Sequence, residues 1–226
     1  GAFALCDHAG TKLATKVYGA TTVGPYCKIG GELNNVVMWG YSNKGHDGFL
    51  GNAVIGEWCN IGADSNNSNL KNNYAPVKLW NYITERFENT GQTFCGLMMA
   101  DHAKCGINTM FNTGTVAGFC ANVFDGGFPP KFITSFSWGG HKQAPRFELE
   151  KAKEVAERDA KLKEQQAEAK KLEQEKLAAD ALQKAKLEKE QLEKQKQEKE
   201  KLEKDKQLAQ EKAEKQRQEK AKAEQE

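Results

Sequence analysis

The chain of 226 residues carries 33 Lys+Arg against 31 Asp+Glu, a net charge of +2. So even a balance excludes the cationic excess that drives binding to a nucleic-acid backbone. No apolar stretch is long enough to span a bilayer, which excludes insertion by a transmembrane helix.

These averages cover two unlike parts. All 21 glycines, five prolines and six cysteines lie at or before Pro145, and nothing after Phe147 is Gly, Pro, Cys, His, Ser, Thr, Asn or aromatic. Residues 1–147 hold 11 basic and 9 acidic side chains, and residues 148–226 hold 22 of each. The first part is long enough for one domain with its own core. Its cysteines (Cys6, Cys27, Cys59, Cys95, Cys105, Cys120) form no CxxC pair and no metal-ligand spacing, so reduced thiols in a cytoplasmic protein and no metal site are expected. The opening GAFALCDHAG already falls loosely into a repeat, which predicts a fragment whose earlier part is missing.

In chain order, Val17, Val23 and Ile29 recur every six residues, with Gly24 and Gly30 after the last two. A fixed hexapeptide period is the signature of a parallel β-helix. One aliphatic side chain per six residues points into a narrow prism, and the next residue turns a tight corner where glycine is favoured. The register slips by two near Asn34-Asn35, then runs through Val37, Asn43, Phe49, Ile55 and Ile61 to Asn67. Residues 70–96 do not fit it; VKLWNYITERF alternates like a short strand or hairpin, so an excursion loop from the wall is predicted. The period returns at Met99, Cys105, Phe111, Ala117 and Val123. Phe124–Gly140, with its Gly-Gly and Pro-Pro breakers, is expected to cap the open end of the coil stack.

The tail is helical by composition. Leu172, Leu177, Leu182, Leu187 and Leu192 step by five, about 140° round a helix, so they spiral over every face and make no coiled-coil seam. A single charged helix is predicted, with Phe147, Leu149, Ala152 and Val155 packing back on the domain.

Within the repeat, NKGHDGFLGNAVIGEWCNIGA (Asn43–Ala63) resembles the acetyltransferase half of the bacterial bifunctional N-acetylglucosamine-1-phosphate uridylyltransferase/glucosamine-1-phosphate acetyltransferase family. Lys44, Gly45, His46, Leu50-Gly51, Ile55-Gly56 and Asn60-Ile61-Gly62-Ala63 occupy the motif places without a gap, with Phe49 where the family has tyrosine. GPYCKIGGE, SNLKNNYAPVKLWNY, CGINTMFNTGTVAG and FSWGG look more specifically like sugar nucleotidyltransferases related to that enzyme. The likeness covers about residues 1–155 and not the tail.

The resemblance implies a left-handed parallel β-helix that works as a homotrimer, with sites between adjacent subunits. It also implies an acetyl-CoA-dependent acyltransferase acting on an amino sugar phosphate or nucleotide sugar. His46 would be the general base that takes a proton from the amine; alone, it would read as a surface-turn histidine. Asn60 would orient substrate, though a ladder asparagine reads as well. The Ala63 N–H would stabilise the tetrahedral oxyanion. Lys44, Phe49 and Asn69 would face the substrate, and coenzyme A would run along the coil wall beside Gly106 and Gly118. Lys16 and Lys28, like Lys44, are possible phosphate contacts, each equally readable as a solvated lysine. Phe49 removes a hydroxyl and Asp64 replaces a glycine, which leaves open a non-catalytic trimerisation or regulatory module of a sugar nucleotidyltransferase. Asp101-His102 is a rival constellation, but neighbours on a strand point to opposite faces and make no automatic dyad.

Overall fold

The computed structural model describes residues 1–141, 145–146 and 149–223. The chain divides into two units, Gly1–Lys161 and Leu162–Glu226. The first holds a left-handed parallel β-helix and the opening turns of the helix Leu149–Ala223; the second holds the rest of that helix.

Three faces close the prism. The first face stacks seven parallel strands, from Phe3–Leu5 to Phe132–Ile133, and the second stacks seven more, from Gly10–Thr11 to Trp138–Gly139. The third runs through Lys16–Tyr18, Glu32–Asn34 and Phe49–Gly51, then Asn66–Asn67 and Met110–Phe111. Asparagine side chains bridge its break: Asn67 accepts from Gly51 N–H at 2.8 Å and donates to Gly51 O at 2.9 Å. The core is one column of inward residues, among them Val23, Met38, Ile55 and Met99 from the first face and Leu33, Leu50 and Phe111 from the third. Burying each large aliphatic contributes roughly 1.5–3 kcal/mol.

Between Val37 and Phe49 the inward register differs from the sequence expectation. Met38, Lys44 and Leu50 point inward, while Val37 is 42 % exposed. The cause is the five-residue step from Leu33 to Met38, which follows a four-residue step from Ile29 to Leu33 at the short corner Gly30-Gly31. A one-residue slip moves every following side chain to the other surface. A second short step, Leu50 to Ile55, restores the phase.

The excursion is a hairpin, Lys78–Asn81 antiparallel to Arg86–Asn89. Its base is fastened where Leu70 bridges Phe94 and Cys95 N–H donates to Asn69 O. Phe124–Gly140 does more than cap. Its strands Phe132–Ile133 and Trp138–Gly139 continue the first and second faces by one further rung. In the helix, Ala152 is buried and Val155 half-buried, whereas Leu149 is exposed; Phe147 lies outside the described residues. No helix among the described residues is long and apolar enough to cross a membrane.

At the corner between first and second faces an aromatic column forms. His8, Tyr26, Tyr41 and Trp58 stack with ring centroids 4.8, 5.1 and 4.5 Å apart, and His102 follows at 6.4 Å. All five adopt positive φ, between 57° and 61°. That conformation costs about 1–2 kcal/mol per residue. Stacking returns about 0.5–1.5 kcal/mol per pair beyond burial, a gain of the same order.

Two outcomes follow. Ile55→Ala should lower unfolding free energy by about 2–5 kcal/mol in denaturant titration. Burial also pushes the Cys59 thiol up from 9.0 to about 12 and Cys27 up to about 11. The folded chain therefore keeps protons that the unfolded chain releases above pH 9.0, so this stabilisation is complete below that pH and lost as pH climbs toward 11 and 12. Melting temperature followed against pH should fall above pH 9.0, and less steeply in Cys59→Ala.

Candidate active site

The Lys-Gly-His stretch enters the corner between second and third faces. Strand pairing sets Asn60 on Asn43, and Asp64 N–H donates to Asp47 O at 3.0 Å. The same 17-residue offset places Ala63 on the rung next to His46, about 4.8 Å along the stack. His46 is exposed, and its ring has no hydrogen-bond partner among the described residues. Ala63 O accepts from Asn108 N–H at 2.9 Å, whereas the Ala63 N–H has no partner among the described residues.

Directly after His46 the chain lines a cleft of about 310 Å³, formed by Ala14, Lys16, Gly31, Glu32, Asp47, Gly48, Phe49, Asp64 and Asn66. Phe49 is half-buried there, its N–H donating to Asn66 Oδ1 at 2.7 Å. Three carboxylates (Glu32, Asp47, Asp64) and one ammonium (Lys16) make the cleft net negative. Such a lining suits an amino or hydroxyl group more than a phosphate. Glu32, and the joint role of Asp47 and Asp64, escaped sequence reasoning; the 17-residue spacing shared with Asn43 and Asn60 was the available signal.

The other expected residues are placed as follows. Lys44 is 1 % exposed and turned into the prism, where Nζ donates to the carbonyls of His46 at 2.5 Å, Asp47 at 3.0 Å and Gly30 at 3.4 Å. Burial holds its ammonium below the usual lysine range. It supports the corner from beneath and is not presented to a substrate, which corrects the expectation. Asn60 is exposed, and its Oδ1 accepts from Asn43 Nδ2 at 3.1 Å, a ladder contact that leaves its amide NH₂ outward. Asn69 sits at a different corner, donating to Asn52 Oδ1 at 2.7 Å, so the fold does not bring it to His46.

Gly106 lies at the His46 corner one rung beyond Gly62, and Gly118 at the corner between first and second faces; each answers a packing demand. A Cβ on Gly118 would come within 2.5 Å of Ser135 N, and one on Gly106 within 3.2 Å of the Phe124 side chain.

The Asp101-His102 pair divides. Asp101 accepts from Glu57 N–H at 2.7 Å, whereas His102 Nδ1 lies 3.2 Å from Asp159 Oδ2 of the helix. That contact is not a hydrogen bond, and the buried His102 Nδ1 has no hydrogen-bond partner among the described residues. No cluster of three or more His, Cys, Asp or Glu able to hold a metal occurs among the described residues.

No family model matches the sequence, and no curated protein matches it. Solved structures do. AntD, an N-acyltransferase from Bacillus cereus in complex with dTDP and 3-hydroxybutyryl-CoA, superposes with a TM-score of 0.50 at 14 % identity, covering 70 % of this chain and 88 % of that one. A serine-to-threonine mutant of AntD, in complex with dTDP and coenzyme A, gives 0.45 at 11 % identity over 69 % and 88 %. A serine-to-cysteine mutant, in complex with dTDP-4-amino-4,6-dideoxyglucose and coenzyme A, gives 0.43 at 13 % over 70 % and 89 %. At these identities the likeness is one of fold.

The geometry separates structural from exposed roles. Asn60→Ala should cost about 0.5–1.5 kcal/mol by loss of the Asn43 hydrogen bond. His46→Ala should leave the denaturation midpoint unchanged, since the ring is exposed and has no hydrogen-bond partner among the described residues; parallel denaturant titrations of the two variants check both.

Proposed function

We propose that the chain is an acyl-CoA-dependent N-acyltransferase acting on an amino sugar phosphate or nucleotide sugar, with acetyl-CoA as the expected donor. The observation that carries this reading is the corner itself. An exposed imidazole lies one rung from a backbone N–H without a partner among the described residues, at the lip of a carboxylate-lined cleft. The hexapeptide motif resemblance supports it, as does the superposition on AntD, an N-acyltransferase bound to dTDP and 3-hydroxybutyryl-CoA.

In this reading Glu32, Asp47 and Asp64 receive the acceptor's ammonium and His46 takes its proton, freeing the nitrogen lone pair. The amine attacks the thioester carbonyl. The developing oxyanion accepts from the Ala63 N–H, which the corner holds ready. Collapse breaks the carbon–sulfur bond, and the proton the nitrogen must still lose to become an amide neutralises the departing coenzyme A thiolate. The outward NH₂ of Asn60 is free to contact substrate; coenzyme A would follow the later coils near Gly106 and Gly118.

A homotrimer belongs to the same proposal. The outward row of the first face runs through Thr22, Val37, Val54 and Met98, with Val37 and Val54 42 % and 39 % exposed and Met98 half-buried, before Val116, which is buried. Such a stripe on a flat sheet suits a neighbouring copy.

The second reading, a non-catalytic trimerisation or regulatory module of a sugar nucleotidyltransferase, draws support from Phe49. It lines the cleft with a ring that has no hydroxyl to share in proton transfer or oxyanion binding.

A coupled thiol-release assay with acetyl-CoA and glucosamine 1-phosphate, or a nucleotide-linked amino sugar, separates the two. Turnover that falls about 10²–10⁴-fold in His46→Ala supports the enzyme. Absence of turnover together with absence of acyl-CoA binding by calorimetry would leave only the module.

A further inference from the structure

The helix Leu149–Ala223 begins by lying on the second face. Ala152 and Asp159 are buried there, and Val155 and Ala156 are half-buried. Ala152 and Val155 enclose a cavity of about 230 Å³ with His102, Lys104, Cys120, Asn122 and Trp138 of the wall. Strand pairing sets Lys104, Asn122 and Trp138 on successive rungs of the outward row that contains Asn60. The strip they form starts one rung beyond Asn60 and runs between the corners of Gly118 and Gly106.

Cys120 shows what the helix hides. Its N–H donates to Asp101 O at 3.1 Å, as the His102 N–H does to Glu57 O at 2.8 Å, and the two residues share a positive φ, 54° and 57°. Cys120 therefore continues the corner column of Tyr26, Tyr41, Trp58 and His102 by one rung, outside the prism. Tyr26, Tyr41 and Trp58 are half-buried on that corner, whereas Cys120, beneath the helix, is 5 % exposed. Burial pushes its thiol up. Cys59 is hidden differently: it belongs to the prism core, and Cys120 does not.

The contact is thin. Of the apolar side chains in Leu149–Lys161 only Ala152 is buried, and a cavity remains beside it. Lys104 Nζ donates to His102 O at 3.2 Å and Asn122 Nδ2 to Cys120 O at 3.2 Å, so each finds a partner within the wall. Asp159 Oδ2 faces His102 Nδ1 at 3.2 Å without a hydrogen bond, and its other oxygen lies 4.0 Å from Arg158 Nε. A buried carboxylate so poorly partnered opposes docking. A segment with little apolar contact and imperfect polar pairing opens at lower cost than coils held by ladders on both sides.

We infer that Leu149–Lys161 is an autoinhibitory strap, closed over the second-face strip, that must lift before the acyl donor can lie there. The occlusion rests on the acyl-CoA reading above, which sets the donor along the coils of Gly106 and Gly118; the opening of the strap does not. Donor binds only the chains whose strap is lifted, so its apparent affinity is reduced by that fraction.

Two measurements on the full chain test it. Iodoacetamide labelling, followed cysteine by cysteine in a mass spectrometer, reads opening: exposed Cys6 should react first, Cys120 next and Cys59 last. Ala152→Glu places a charge in the apolar contact, so it should speed Cys120 at least about tenfold and leave Cys59 protected. Cys120 as slow as Cys59 in the wild-type chain, or a Cys120 rate unmoved in a variant whose Cys59 stays protected, would overturn the strap. Should the variant misfold, the wild-type order decides. Calorimetry with coenzyme A reads occlusion: Ala152→Glu should bind it at least about tenfold more tightly than the wild-type chain. Equal binding by the two chains would overturn the occlusion. Binding by neither would instead overturn the acyl-CoA reading, and the labelling would still decide the strap.

Discussion

The structure depends on stacking. Each strand of two or three residues is too short to persist alone, and it survives because backbone hydrogen bonds tie it to the coils on both sides. Those bonds oblige each coil to match its neighbour's path and admit one side chain per face to the prism. Where a coil is short, as at Gly30-Gly31, the next coils shift phase together. Where the third-face ladder breaks, Asn67 supplies both halves of the missing backbone pairing from its side chain.

Lys44 is the departure from this rule that matters most. The inward slot it occupies holds Ile29 one coil earlier and Ile61 one coil later. A buried cation without compensation would cost several kcal/mol. Here three carbonyls receive it, two of them from the corner that carries His46 and Asp47. The lysine thus ties the core to a corner where an imidazole, carboxylates and an open amide meet. Its role is to hold a corner rigid, and the chemistry proposed for that corner needs such rigidity.

Legibility varied with the range of the interaction. The hexapeptide period announces the prism because inward slots are local along the chain. The phase of that period between Val37 and Phe49 is ambiguous in sequence, since Asn43 and Phe49 fit a six-residue pattern as well as Lys44 and Leu50 do. Only the stacking partners Ile29 and Ile61 distinguish them. Gly106 and Gly118 likewise suggest room for a cofactor in sequence, yet each abuts the next coil. Asn60 was readable as either ladder or contact, and the Asn43 contact takes its carbonyl while leaving its amide.

By itself the sequence determined a β-helix, its excursion between residues 70 and 96, the helical tail, and His46 as a singular residue in the repeat, because each of these is written in local spacing and composition. Tertiary structure alone decided which residues face inward, that Ala63 lies beside His46, and that Glu32, Asp47 and Asp64 share a cleft, because coil stacking joins residues 15 and more positions apart. It alone decided that the start of the helix lands on Lys104, Cys120 and Asn122. No periodicity marks such a meeting; it exists only once the helix folds back onto the second face.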